Sequence, residues 1–164
     1  MSVSLPPSPA PLLDRLAKEV CTLGPVGHLP WAPGTWGSLV AVVFAPWLFL
    51  LLSIPLRLLV VAVIFILGGM AASRVERQTG VKDPGMVVVD ELAGQWLTLL
   101  PFATLHPVHL GLAFVLFRLF DIVKPWPVRR SEHWLPNGYG VMIDDVLAGG
   151  YAAVVLALLR IFWP

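Results

Sequence analysis

Two runs of this chain, Leu39 to Ser53 and Leu56 to Ala72, contain one charged residue between them, Arg57. Backbone polar groups in such runs must be paired within the segment if lipid surrounds it, which leaves helices or a closed barrel. Composition decides that lipid is the right solvent. The chain is 57% hydrophobic and 13% charged over 164 residues, with a mean hydropathy of +0.82. Soluble domains carry about 25% charged residues, enough to cover their surface. The expected fold class is therefore all-α: a multi-pass membrane helical bundle of about five membrane-embedded helices, preceded by a short interfacial helix.

The chain divides accordingly. Residues 1–11, rich in Pro and Ser and without a basic n-region, read as a disordered lead rather than a signal peptide. Residues 12–164 read as a single domain. Leu12 to Leu23 is amphipathic, with Leu12, Leu13, Leu16, Val20 and Leu23 on one side and Asp14, Arg15, Lys18 and Glu19 largely on the other. It suits the membrane interface. Leu39–Ser53 and Leu56–Ala72 form a hairpin around Ser53-Ile54-Pro55. A polar stretch, Ser73 to Pro84, follows. Asp83 as N-cap and Pro84 at the first helical position open a third helix that stops at Pro101. A fourth runs from His106 to Val123. After a Pro/Gly loop over Lys124–Gly140, a fifth runs from Ile143 to Trp163, with Asp144 and Asp145 at its start.

Lys and Arg placement gives an orientation. With a cytoplasmic N-terminus and five crossings, Arg15, Lys18, Arg74, Arg77, Lys82, Lys124, Arg129 and Arg130 lie inside, and only Arg57 and Arg160 lie near the outer side. The same alternation brings the Thr35–Ser38 turn, Asp83–Glu91, Asp121–Lys124 and Asp144–Asp145 to one level. A net charge of +1 without a basic stripe argues against an electrostatic nucleic-acid binder. Cys21 is the sole cysteine and reads as an apolar filler.

The acids are the chemical signal, because an ionised group in lipid costs roughly 2.5–3.5 kcal/mol. Asp83, Asp90, Glu91, Asp121, Asp144 and Asp145 gathered at one level repel one another and any anionic substrate. A hard divalent ion relieves both conflicts by bridging carboxylate and phosphate oxygens. Helix neighbours diverge by about 100°. One member of Asp90/Glu91 and one of Asp144/Asp145 is thus expected to ligate while the other orients or pairs. Asp121 and Lys124, three apart, share a face with each other. Lys124 or Arg129 is suited to phosphate, and the turn at Thr35 and Ser38 offers backbone N–H groups to an anion. Cysteine, Asp-x-Asp and histidine phosphatase signatures are absent, which favours direct attack by water.

Four blocks in order carry a family resemblance. They are Ala32-Pro33-Gly34-Thr35-Trp36-Gly37-Ser38-Leu39; Asp83-Pro84-Gly85 with Val89-Asp90-Glu91 and Gly94; Phe117 to Pro127; and Gly138 to Gly149 around Asp144-Asp145. Together they resemble phosphatidylglycerophosphatase A. The resemblance implies an all-helical, magnesium-dependent enzyme of the bacterial inner membrane, facing the cytoplasm. It would remove the terminal phosphate of phosphatidylglycerophosphate, leaving phosphatidylglycerol. In one departure, the family's Asp before the Gly-rich turn matches Glu132 here. On this reading Asp90, Glu91, Asp144 and Asp145 position the metal. Asp121, Asp90 and Lys124 are the catalytic candidates, with Asp121 orienting or deprotonating water. Thr35, Ser38, Lys124 and Arg129 hold the substrate. The alternative is a small ion or metabolite transporter, since intramembrane acids also mark ion paths.

Overall fold

The structure is a computed structural model that describes residues 10–162. Among them the chain forms seven α-helices, a 3-10 turn at Val26–His28 and no strand. The helices are α1 (Pro11–Thr22), α2 (Pro33–Leu48), α3 (Ile54–Thr79), α4 (Val89–Leu99), α5 (Pro107–Val123), α6 (Val128–Ser131) and α7 (Gly138–Phe162). Proline occupies the first turn of α1, α2, α3 and α5, where no intrahelical N–H is needed. Gly80, at φ 67°, closes α3 in a left-handed C-cap. Most of the disordered lead expected over 1–11 lies outside the described residues; Pro11 itself opens α1.

Two helices, α3 and α7, are long and apolar enough to cross a membrane, rather than the five expected. Their 26 and 25 residues reach about 38 Å at 1.5 Å per residue, against ~30 Å of hydrocarbon. α2 and α5 have 16 and 17 residues and α4 only 11. The apolar run of α4 was misleading for a physical reason: a helix that is apolar all round is one that is buried, in lipid or in protein. Here it is protein. Val89, Asp90, Ala93, Gly94, Gln95, Trp96, Thr98 and Leu99 are all buried, and α4 runs through the middle of the bundle against α2, α3, α5 and α7. The outward faces of the long helices stay apolar and exposed, with Leu58, Leu59, Val63, Ile66 and Leu67 on α3 and Val154, Leu158 and Ile161 on α7.

Several element boundaries also moved. α3 runs beyond the Ser73-Arg74 extension that a full span calls for, to Thr79, and Arg74 reaches Asp14 of α1 at 2.5 Å. Asp83 is not an N-cap: it sits at φ 50°, and its N–H donates to Glu76 Oε1 at 3.1 Å. The chain from Pro84 to Val88 is a turn fixed by a tertiary bond, Val88 N–H to Cys21 O at 2.8 Å, so α4 starts five residues later. α7 starts earlier, at Gly138, whose N–H donates to Ser73 Oγ at 3.1 Å. Asp144 and Asp145 therefore lie in its second turn, not at a helix start favouring acids through the dipole. His109, in the first turn of α5, is buried.

The bundle has two poles. At one, Arg57 is 2% exposed and donates to the carbonyls of Leu50, Leu52, Leu100 and Phe102. It thereby ties the ends of α2 and α4 to the start of α3. Its guanidinium also lies 5.7 Å from the Phe49 ring, which stacks on Trp96 at 4.8 Å. At the other pole the helices meet through small residues. A Cβ on Gly149 would strike Gly94 O, and one on Gly94 would sit 2.6 Å from Asp145 O. Thr98 Oγ1 donates to both Gly94 O and Gly149 O, at 3.0 and 3.3 Å. Small residues let two helix backbones approach this closely, and the contact sets α4 against α7 one turn above the acids.

Candidate active site

The opposite pole from Arg57 holds a cavity of about 220 Å³. Gly34 enters it from the first turn of α2. Asp90 and Glu91 come from the start of α4, Arg118 and Asp121 from the end of α5, and Asp144 and Asp145 from α7. Lys124, the left-handed C-cap of α5, closes one side, and Asp83 another. Six carboxylates and two cations thus share one small space.

Asp90, Glu91 and Asp145 each place a carboxylate oxygen within 4.8 Å of the other two. The sequence expectation that adjacent acids must diverge fails for Asp90 and Glu91. The Asp90 side chain folds back, with Oδ1 accepting the Glu91 N–H at 3.0 Å, and the longer Glu91 reaches the same place. The expectation holds for the second pair. Asp145 joins the trio, while Asp144 turns to Lys124 Nζ. The convergent set is therefore three acids and not the four anticipated.

Room for the trio comes from glycine. A Cβ on Gly34 would collide with Glu91 Oε1 and lie 3.3 Å from Arg118 Nη1, and one on Gly37 would lie 2.9 Å from Val88 Cβ. Sequence reading credited that block to Thr35 and Ser38 and missed Gly34. The available signal was two glycines three apart, on one helical face. Neither Thr35 nor Ser38 lines the cavity. The Thr35 N–H donates to Ala32 O at 2.9 Å. Ser38 is fully buried, donating to Gly34 O at 2.9 Å and accepting from Arg118 Nη1 at 3.5 Å.

The cations are tethered by acids. Arg118 Nη1 lies 2.7 Å from Asp121 Oδ2 and 3.6 Å from Glu91 Oε1. Lys124 Nζ bonds Asp144 and, at 2.5 Å, Glu132 Oε1. Burial works against the charge on Lys124, but its hydrogen bonds to Asp144 and Glu132 outweigh burial and hold its pKa above the ordinary lysine value. The same bond from Lys124 holds the Glu132 carboxyl below its ordinary value. Arg129 lies outside the acid cavity, in an adjoining pocket that shares Lys124. Burial pushes the Cys21 thiol up to about 12, so no thiolate is available as a nucleophile.

The donor set fits a hard divalent cation. Glu91 Oε2 and Asp145 Oδ2 are buried without a hydrogen-bond partner among the described residues. Native proteins rarely leave such atoms unpaired unless an ion or water takes them. Carboxylate oxygens alone, with no thiolate or imidazole among them, are what magnesium, calcium or manganese select.

The family model for phosphatidylglycerophosphatase A matches residues 20–160 of the chain. The chain belongs to the phosphatidylglycerophosphatase A family. Its relatives agree over most of their length. A phosphatidylglycerophosphatase A of Haemophilus influenzae is 40% identical, with 89% of this chain and 94% of the relative covered. One of Escherichia coli is 36% identical, covering 84% and 80%. A Bacteroides thetaiotaomicron protein named, provisionally, as a phosphatidylinositol-3-phosphatase is 42% identical, covering 82% and 87%. No solved structure matches the chain. Phosphoric monoester hydrolysis is the activity the family's name denotes. Within this phosphatidylglycerophosphatase A fold, the four sequence blocks become four walls of one cavity, supplied by α2, α4, α5 and α7. Nothing in that cavity or in the relatives supports the transporter alternative.

Proposed function

We propose that this membrane protein hydrolyses phosphatidylglycerophosphate to phosphatidylglycerol and phosphate with magnesium, its 12–164 segment acting as one domain. The observation that carries this reading is the pair of unpartnered buried oxygens on Glu91 and Asp145, beside Asp90, in a cavity with too few cations for its acids. Asp90, Glu91 and Asp145 would hold the ion. A magnesium ion held there would supply Lewis-acid chemistry, polarising a phosphoryl oxygen and making the attacking water more acidic.

The chain's own residues supply the rest. Lys124, fixed between Asp144 and Glu132, presents positive charge to the phosphorylated headgroup, and Arg129 adds to it from the neighbouring pocket. Asp121, held by Arg118 at 2.7 Å, takes the proton as the water oxygen attacks phosphorus. The phosphorus–oxygen bond to glycerol breaks, and that proton returns to the departing glycerol oxygen. Asp144 acts by anchoring Lys124, and Ser38 by steadying Arg118. Thr35 contributes its backbone N–H to the first turn of α2, donating to Ala32 O.

Placement in the bacterial inner membrane, with the cavity facing the cytoplasm, is supported by two helices of spanning length, by bacterial relatives and by the basic residues near this pole. The deciding experiment is phosphate release from phosphatidylglycerophosphate in detergent micelles, with magnesium and then with excess chelator. Release that stops with chelator and resumes with added magnesium is expected. Release that persists in chelator would remove the metal from the reading, and no release from folded protein would remove the activity.

A further inference from the structure

The substrate of the proposed reaction carries two phosphates: the terminal monoester that is cleaved, and a diester joining glycerol to the diacylglycerol. The acid cavity accounts for the first only. A second pocket, of about 360 Å³, adjoins it between the end of α5 and α6 and is lined by Ile122, Val123, Lys124, Arg129, Glu132 and His133. Lys124 belongs to both cavities, so its ammonium stands between them as the glycerol stands between the two phosphates.

We infer that this second pocket is the subsite for the phosphodiester of the lipid headgroup, with Arg129 as its principal contact. The inference rests on the phosphatase reading above and assigns to Arg129 a phosphate different from the scissile one. Four observations carry it. Arg129 makes no side-chain hydrogen bond or ion pair among the described residues, so its guanidinium is free to clamp an anion, whereas Arg118 and Lys124 are committed to acids. The base beneath it is rigid. Val128 is fully buried against Phe117, Ala148 and Ala152, and Ser131 Oγ donates to Val128 O at 2.7 Å. The one acid in the pocket, Glu132, is occupied by Lys124 at 2.5 Å. Finally, the pocket opens over Ile122 and Val123, which are 69% and 62% exposed. A diester bound by Arg129 would therefore leave its acyl chains against apolar side chains rather than in water. His133, also without a side-chain partner among the described residues, is placed to donate to the same diester or to the glycerol hydroxyl.

Phosphatidylglycerol and orthophosphate separate the two subsites, because the first retains the diester and lacks the terminal phosphate while the second stands for the terminal phosphate alone. Each is tested as an inhibitor of phosphatidylglycerophosphate hydrolysis in mixed micelles at fixed surface concentration, for the unsubstituted protein, Arg129→Gln and Arg129→Lys. Loss of one charge-assisted contact is expected to raise the phosphatidylglycerol Ki of Arg129→Gln about tenfold. KM should rise with it and the orthophosphate Ki should stay unchanged, while Arg129→Lys recovers part of the loss. An unchanged phosphatidylglycerol Ki, an equal rise in both Ki values, or a loss confined to kcat overturns the subsite. Failure of the unsubstituted protein to release phosphate overturns the phosphatase reading and this inference with it.

Discussion

At the scale of single residues, the candidate site is a set of acids whose charges are only partly answered. Asp145 is the sharpest test, since it is 4% exposed and one of its oxygens is unpartnered. Asp145→Asn removes a charged donor and keeps the volume. It should cut phosphate release at least about 100-fold, the usual cost of losing an electrostatic contact at the reacting centre, while circular dichroism shows unchanged helix content. Near-normal turnover would exclude Asp145 from the metal set. Glu132 behaves differently, because its role is to hold Lys124. Its folded pKa is below the ordinary value of 4.5. Its contribution to stability is therefore fully present above the unfolded value and lost as pH falls through the lower folded one. Glu132→Gln should flatten the acid limb of the stability–pH curve below about pH 4.5, measured by thermal unfolding in detergent. An unaltered limb would mean that the pair contributes nothing.

At the scale of elements, the site depends on how closely α4 and α7 approach. The Gly94–Gly149 contact is backbone to backbone, so neither helix can accommodate a methyl group by a rotamer change. Gly149→Ala should destabilise by about 1–3 kcal/mol, the range for overpacking a filled interior. It should also lower turnover, because spreading the two helices moves Asp145 away from Asp90 and Glu91. A variant as stable and active as the parent would show that the helices slide freely. α1 acts at the same scale through Cys21 O, which holds Val88 and so fixes where α4 begins. Element types were legible from hydropathy and proline placement, and α1 and α5 fell close to their expected limits. The start of α4 was not, because Asp83-Pro84 has good local capping chemistry that a tertiary hydrogen bond overrides. The number of spanning helices was not legible either: nothing in an apolar run says whether its neighbours will be lipid or other helices.

At the scale of the whole molecule, the fold separates a pole that holds helices together from a pole that does chemistry. Arg57 staples the first, and its four carbonyl partners come from two separate connections. Arg57→Met keeps much of the apolar stem and strips the donors. It should cost at least about 3 kcal/mol, since each hydrogen bond to a charged group is worth roughly 1.5–3 kcal/mol and several carbonyls are left unsatisfied together. Once the protein is folded, KM should be little changed, because the acid cavity lies at the far ends of the same helices. A change in KM without a loss of stability would place Arg57 in communication with the site. The sequence had put Arg57 near the outer surface by counting charges, and charge counting cannot see four carbonyls brought in from other segments.

The sequence by itself determined the class of the protein and the level at which its chemistry sits. A charge content of 13% is low for a surface that faces water all round. Acids at the ends of apolar helices must gather where helix alternation brings them, and four ordered blocks carry the family. Only the tertiary structure decided which acids meet. Asp90, Glu91 and Asp145 converge because Gly34 clears space for Glu91 and because the Gly94–Gly149 contact draws α7 onto α4. Asp144, the immediate neighbour of Asp145, turns instead to Lys124. The physical reason is general: spacing along one helix fixes directions relative to that helix alone, whereas a site shared by four helices depends on their separation and rotation, which packing sets.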